Sequence, residues 1–325
     1  MKGMVIRMPD SEELQSDLSV IKDNLSRLDT VYGENAEKRL FQLSESMDLL
    51  KQMGYRTVSD LLGASDRFKS FLSDLTARTS AEDSAEHTVI RQNLRREEIS
   101  RICRLFASED RAALSTVLLL LGDSESAGNA DLAYNSSVKQ IACVSNAFTG
   151  TFLHHLPQEI SYNPGYYSDF RSVCEAVGFG MDDYGVIPLE NSRDGKIRRF
   201  YDLLDEYDLR IIYSCVIRQS GNEESHRLVL VGTNFAVPTQ TYDCRCEVLI
   251  PGKVSLSDVL LTAKECSLEP VSISSFTSAY NHADVTYNLT LAGNGEIAAF
   301  LLYLYLTAAG FRLLGIYSQT TVQDE

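Results

Sequence analysis

Asp183-Tyr184-Gly185-Val186-Ile187-Pro188-Leu189-Glu190-Asn191-Ser192-Arg193-Asp194-Gly195 decides how this chain is read. Val186 and Ile187 are apolar and β-branched, so the first half predicts a short buried strand. Pro188 has no N–H to give to a ladder, and regular pairing is expected to end there. Asn191 and Ser192 are good helix N-caps, and Asp194 suits the positive end of a helix. Ile197, Phe200, Tyr201, Leu204 and Tyr207 follow at helical spacing and predict a helix to about residue 207. A strand end feeding a helix start presents free N–H groups, where an open α/β sheet holds small anions.

Working outward, strands are expected at 139–144, 160–162, 209–217 and 225–231, with a helix at 169–176. This β-α-β-α-β-α-β order predicts a right-handed, largely parallel sheet. Towards the C-terminus the pattern changes. A strand at 244–250, a Pro251-Gly252 turn, a helix at 257–266, strands at 271–276 and 284–291, a helix at 296–309 closed by Gly310, and a strand at 311–317 give the order βαββαβ. The N-terminal third reads as helical. Leu14, Leu18, Ile21, Leu25 and Leu28 form one stripe, further helices are expected at 34–52, 66–75 and 87–121, and 80–86 is a polar break. From Gly122 to Ala130 the residues are small and polar, which marks a linker. The fold class is therefore α/β and α+β multidomain: a helical domain at 1–121, a linker at 122–138, an α/β lobe at 139–238 and a βαββαβ module at 241–318.

Composition narrows the function. The chain has 325 residues, 44% of them hydrophobic, enough for sizeable cores. A net charge of −15 argues against nucleic-acid binding, which needs clustered cations. The apolar runs at 113–121 and 297–311 are too short to span a membrane. Residues 1–9 are too short and mixed for a signal peptide, and the seven cysteines are odd in number and set in apolar runs, so a reducing cytoplasm is expected. Cys244-x-Cys246 has no second pair to complete a metal site, and His154 and His155 cannot share a helix face. Neither a metal nor a cofactor is expected.

The central stretch resembles the Asp-Tyr-Gly-Val-(Val/Leu)-Pro-(Ile/Leu)-Glu-Asn-Ser-x-(Asp/Glu/Ala)-Gly signature of prephenate dehydratase, which makes phenylpyruvate in phenylalanine biosynthesis. Gly150-Thr151-Phe152-Leu153-His154 resembles that family's Gly-Thr-Phe-Ser-His turn, with Leu153 in the place of a small hydroxyl residue. Phe170 to Val177 is similar to its Phe-x-x-Val-x-Glu-Ala-Val segment, and Phe311 to Tyr317 to its closing strand. The resemblance implies one lobe of a periplasmic-binding-protein-like dehydratase domain, followed by an ACT regulatory module. It also implies an aromatic acid, prephenate or another aromatic metabolite, as ligand, and a homodimer or higher homo-oligomer. By the same resemblance, Thr151, Glu190, Asn191, Ser192 and Arg227 would contact substrate.

Two departures stand out. Only 219–224 separate the strand ending at Arg218 from Ser225-His226-Arg227-Leu228, where relatives insert a second lobe and resume with Thr-Arg-Phe. The second lobe is thus expected to be missing, and His226, with Ser225 beside it, stands where the catalytic threonine would be. Ser274 and Ser275 stand in the ACT ligand motif Glu-Ser-Arg-Pro, which has lost its arginine. In bifunctional relatives a helical chorismate mutase comes first. Lys22, Arg27, Lys38 and Arg39, or Arg91, Arg95, Arg96 and Glu97, are the charges available for one, and neither set reproduces that spacing. Two functions fit: dehydration of prephenate, or a non-catalytic protein that senses an aromatic metabolite or binds a partner. A plainer role for the motif is also open, with Glu190 to Ser192 capping a helix and Arg227 pairing with a carboxylate.

Overall fold

The second of two contact units carries everything described below. In the computed structural model these units are Met1–Arg56 and Thr57–Glu325. The structure describes residues 96–97, 99–101, 103–104, 107, 111–121, 138–157, 160–219, 224–236, 244–277, 285–293 and 296–324. The helices expected before residue 96, with Lys22, Arg27, Lys38, Arg39, Arg91 and Arg95, lie outside the described residues, as does the linker up to residue 137.

The elements are α1 (Arg111–Leu121), β1 (Lys139–Val144), α2 (Ala147–His154), β2 (Tyr162–Tyr167), α3 (Phe170–Gly178), β3 (Tyr184–Asn191), β4 (Gly195–Lys196), α4 (Arg198–Glu206), β5 (Arg210–Gln219), β6 (Ser225–Gly232), β7 (Cys244–Pro251), α5 (Leu256–Glu265), β8 (Glu269–Thr277), β9 (Val285–Ala292), α6 (Ile297–Thr307) and β10 (Arg312–Asp324). All ten strands join one sheet in the order β2-β1-β3-β6-β5-β10-β7-β9-β8, with β4 beside β3.

The expectation of a largely parallel sheet is corrected. Strands β1–β2, β1–β3 and β5–β10 pair parallel, while β3–β6, β5–β6, β7–β10, β7–β9, β8–β9 and β3–β4 pair antiparallel. The cause lies between β5 and β6. Their ladder runs to Arg218↔Ser225, and Gln219 N donates to Glu224 O at 3.1 Å, so the chain turns straight back as a hairpin. A parallel return would need a crossover of a dozen or more residues.

Strand β10 joins the two halves. Its first part pairs antiparallel with β7, and from Gly315 onward it pairs parallel with β5 as far as Asp324↔Gln219. The strand is longer than the 311–317 read from apolar residues, because its tail is hydroxyl- and amide-rich. Gly315 marks the closest approach: a Cβ there would lie 2.1 Å from Ile211 O, so only glycine fits.

Alternation along the strands sends side chains to two cores. One face packs Ile187, Leu189, Val229 and Val231 against Val173 and Val177 of α3 and Tyr201 and Leu204 of α4. The other packs Ile141, Val186, Leu228 and Leu230 against Phe152 and Leu153 of α2. Asn146 caps α2 by accepting from Thr149 N at 2.9 Å, and Asp169 caps α3 by accepting from Ser172 N at 2.9 Å. The Gly150–His154 stretch is therefore part of a helix rather than a turn. Arg96 is buried and pairs with Glu265 of α5 at 2.6 Å, and Arg104 pairs with Glu296 before α6. Those two bridges fasten the helical residues Arg96 and Arg104 to the βαββαβ end of the sheet.

Candidate functional site

Asn191 and Ser192 are not helix caps. Strand β3 runs past Pro188 to Asn191, residues 192–194 form a turn, and Gly195–Lys196 pairs back onto β3. Helix α4 starts at Arg198, and its N-cap is Ile197, which makes no side-chain capping bond. Asparagine and serine satisfy turn amides as readily as helix amides, and here the turn takes them. Asn191 Oδ1 accepts from Arg193 N at 3.0 Å and from Asp194 N at 2.6 Å, and its Nδ2 donates to Asp194 Oδ2 at 3.0 Å. Gly195 closes the turn at φ +67, where a Cβ would be strained. Pro188 is tolerated because β1 has left β3 by Gly185, and the ladder to β6 shifts register between Pro188 and Glu190.

The hairpin tip meets the start of β6. Asn191 pairs with His226 and Glu190 with Arg227 in the ladder. Ser192 N donates to Ser225 O at 2.9 Å, and Ser225 N donates to Ser192 Oγ at 3.0 Å. His226 lies against Phe148 of α2, ring centroids 4.1 Å apart. Thr151 sits one turn further along α2, its hydroxyl donating to Ala147 O at 3.3 Å. Glu190, Asn191, Ser192, Ser225, His226 and Arg227 are therefore neighbours along one ladder, with Thr151 on the helix that flanks His226. Ser274 and Ser275 are elsewhere, on β8 opposite Asn288 and Tyr287, and as consecutive strand residues they point to opposite faces.

Arg227 turns away from this tip. Its side chain is 7% exposed and reaches over β5 and β10 to Glu247 of β7, with Nη2 to Oε2 at 2.8 Å. Along the way its Nε donates to Ser214 Oγ at 3.1 Å, and the guanidinium lies over the Tyr317 ring, 5.4 Å from the centroid, while donating to that tyrosine's hydroxyl. Only Nη1 looks back towards Glu190, 3.7 Å away.

Glu247 is the centre of the arrangement and is fully buried. Its Oε2 accepts from Arg227 and from Tyr317 OH at 2.6 Å, and its Oε1 accepts from Tyr201 OH at 2.9 Å and Asn288 Nδ2 at 3.0 Å. Lys196 Nζ, on a side chain 3% exposed, lies 3.7 Å from Oε1 and donates to Asn288 Oδ1 and to Thr290 Oγ1 at 3.0 Å. The cluster crosses the sheet through β6, β5, β10, β7 and β9, with β4 and α4 above it. A buried charge is tolerable when it is paired and its lone pairs are filled, and both conditions hold here.

The electrostatics follow from that geometry. Burial would push the Glu247 carboxyl up, but Arg227 and then Lys196, with hydrogen bonds from Arg227 and Tyr317, hold it below the usual carboxylate range. Burial pulls Lys196 down, and Glu247 only partly restores it. Burial, then the Glu247 charge, raises the Tyr201 hydroxyl well above its ordinary value. Tyr317 rises too, through burial first, with Arg227 opposing and Glu247 reinforcing. Both tyrosines are therefore neutral donors at neutral pH.

Reading the sequence missed Glu247, Lys196, Tyr201, Tyr317 and Asn288 as a group. The available signal was Glu247 itself, the one carboxylate in the strand Cys244 to Ile250, set between the apolar Cys246 and Val248. Among the described residues, no three His, Cys, Asp or Glu side chains are placed to hold a metal ion, and no helix is long and apolar enough to cross a membrane. The seven cysteines are all buried free thiols.

A mixed α/β sheet with helices on both faces is the class this geometry defines. Residues 146–220, from the cap of α2 to just beyond β5, match the family model of prephenate dehydratase, and this part of the chain is prephenate dehydratase-like. No curated protein gives a significant match to the chain. Among solved structures, prephenate dehydratase from Streptococcus mutans is 17% identical, with 56% of this chain and 100% of that chain covered and a TM-score of 0.46. A complex of prephenate dehydratase with L-Phe from Arthrobacter aurescens is 14% identical, covering 55% and 90% at a TM-score of 0.45. GqqA, described as a novel type of quorum quenching acylase, is 15% identical, covering 55% and 94% at a TM-score of 0.44.

Proposed function

We propose that this chain is a prephenate dehydratase-like protein that does not turn prephenate over, and that it works as a non-catalytic binding and assembly protein of aromatic amino-acid metabolism. The observation that carries this reading is the pairing of Arg227 with Glu247. Dehydrating prephenate couples loss of a carboxylate to departure of a hydroxyl, which requires cations free to hold the dianion and an acid placed at the hydroxyl. Arg227 has no charge to offer while Glu247 balances it inside the protein. The hairpin between β5 and β6 also supports a dehydratase-like lobe without its second half, so that one wall of the cleft is missing. Strands β7 to β10, in the order β10-β7-β9-β8 with α5 and α6, support an ACT-like module.

The test is incubation of the full chain with prephenate at neutral pH, following phenylpyruvate. Product formed no faster than the uncatalysed background is expected. Turnover above that background would overturn the reading.

One observation favours carbon–oxygen lyase activity as a second reading. Ser225 and His226 sit half-buried beside Asn191 and Ser192 at the accessible end of the ladder, and imidazole is a side chain that serves as a general acid. If turnover is found, His226→Ala should abolish it. An unchanged rate would remove His226 from the mechanism.

A further inference from the structure

Five side chains from distant parts of the chain converge on one carboxylate. Arg227 and Tyr317 take one oxygen, Tyr201 and Asn288 take the other, and Lys196 supplies a second positive charge. Four of these groups can only donate to that carboxylate, and Asn288 is turned so that its amide nitrogen faces it while its oxygen holds Lys196. Such an array is organised for a carboxylate as a chemical species, and nothing in the donors requires that it be attached to this chain. We propose that Lys196, Tyr201, Arg227, Asn288 and Tyr317 form a carboxylate-binding site, that Glu247 fills it as an internal ligand, and that a free small carboxylate and the Glu247 side chain exclude one another there. The inference rests on the reading above that Arg227 is balanced from within, and it gives that reading a physical form: the βαββαβ end of the sheet delivers the anion that engages Arg227. The ligand class is a monocarboxylate of formate or acetate size, because Glu247 contributes little more than that beyond its Cβ. Glu190, 3.7 Å from Arg227 Nη1, borders the cluster on its more accessible side, its own side chain being 35% exposed.

The experiment is thermal unfolding of the full chain as wild type, Glu247→Ala and Glu247→Gln, titrated with acetate, and with acetamide and chloride as controls. Glu247→Ala removes about one acetate equivalent. Acetate should raise its midpoint in proportion to the logarithm of its concentration above the Kd, by about 5 °C at a hundredfold excess over the Kd, while acetamide and chloride do not. Wild type and Glu247→Gln, in which the position is still filled, should show no acetate-specific rise. Recovery of folded Glu247→Ala only when acetate is present would support the site equally. An acetate response the same in all three proteins, or failure of Glu247→Ala to fold in acetate as well as without it, would overturn it. Prephenate turnover by the wild type would contradict the proposed function without touching this result, so the two failures are distinguishable.

Discussion

His226 and Arg227 are consecutive residues on β6, yet they belong to different proteins in all but sequence. His226 faces α2, half-buried, against Phe148 and beside the hairpin tip. Arg227 faces α4 and is sealed under Lys196 and Tyr201 with every polar edge engaged. The two-residue period of a strand makes this possible: one position separates a site that solvent can reach from an ion cluster it cannot. The lesson is that adjacency in a motif says nothing about shared access. A cation beside a candidate acid counts as a ligand contact only if both lie on the same face.

This contrast predicts unequal responses to mutation. The largest belongs to the buried face. Glu247→Gln keeps the shape and removes the charge, leaving Arg227 uncompensated in a dry interior, and should cost about 3–5 kcal/mol in urea unfolding. A loss below about 1 kcal/mol would mean the cluster is wet or loosely packed. The same carboxyl sets a pH dependence. A carboxyl held below its unfolded value stabilises the fold fully above that unfolded value and loses the contribution as pH falls towards the folded one. Wild-type stability should therefore decline below about pH 4.5, and Glu247→Gln should decline less over the same interval. Parallel curves for the two proteins would remove Glu247 from the acid response.

The accessible face should respond weakly. His226→Ala gives up the stack on Phe148 and is expected to cost about 0.5–1.5 kcal/mol. Asn191→Ala loses two turn amide bonds at an exposed site and should cost about 1 kcal/mol. If either change rivalled Glu247→Gln, the two faces would not differ in the way described.

Much of this was legible in the residues. The apolar runs of β1 and β6, the helix expected at 169–176 and the βαββαβ order were read close to their observed bounds, because burial on both faces leaves uninterrupted hydrophobic segments, whereas β3 was recognised but expected to stop at Pro188. The hairpin at 191–195 was misread because Asn, Ser and Asp serve turns and helix caps alike. Gly195 at positive φ and Lys196 after it were the distinguishing residues, and neither has a unique local meaning. The tail of β10 was missed because Gln319, Thr320 and Thr321 lack the apolar alternation that marks a strand; their partner is β5, about a hundred residues earlier. The ion cluster was illegible for the same reason. Its members come from seven elements, and no local pattern announces a contact between Lys196 and Thr290 or between Arg227 and Glu247.

The most direct test of the central claim is a double-mutant cycle on Arg227 and Glu247, using Arg227→Met and Glu247→Leu in equilibrium unfolding at neutral pH. The account predicts a coupling of about 2 kcal/mol or more, with the double variant more stable than at least one single variant, since removing both charges leaves none stranded. Losses that add to within about 0.5 kcal/mol would contradict it, because the two side chains would then not be balancing one another.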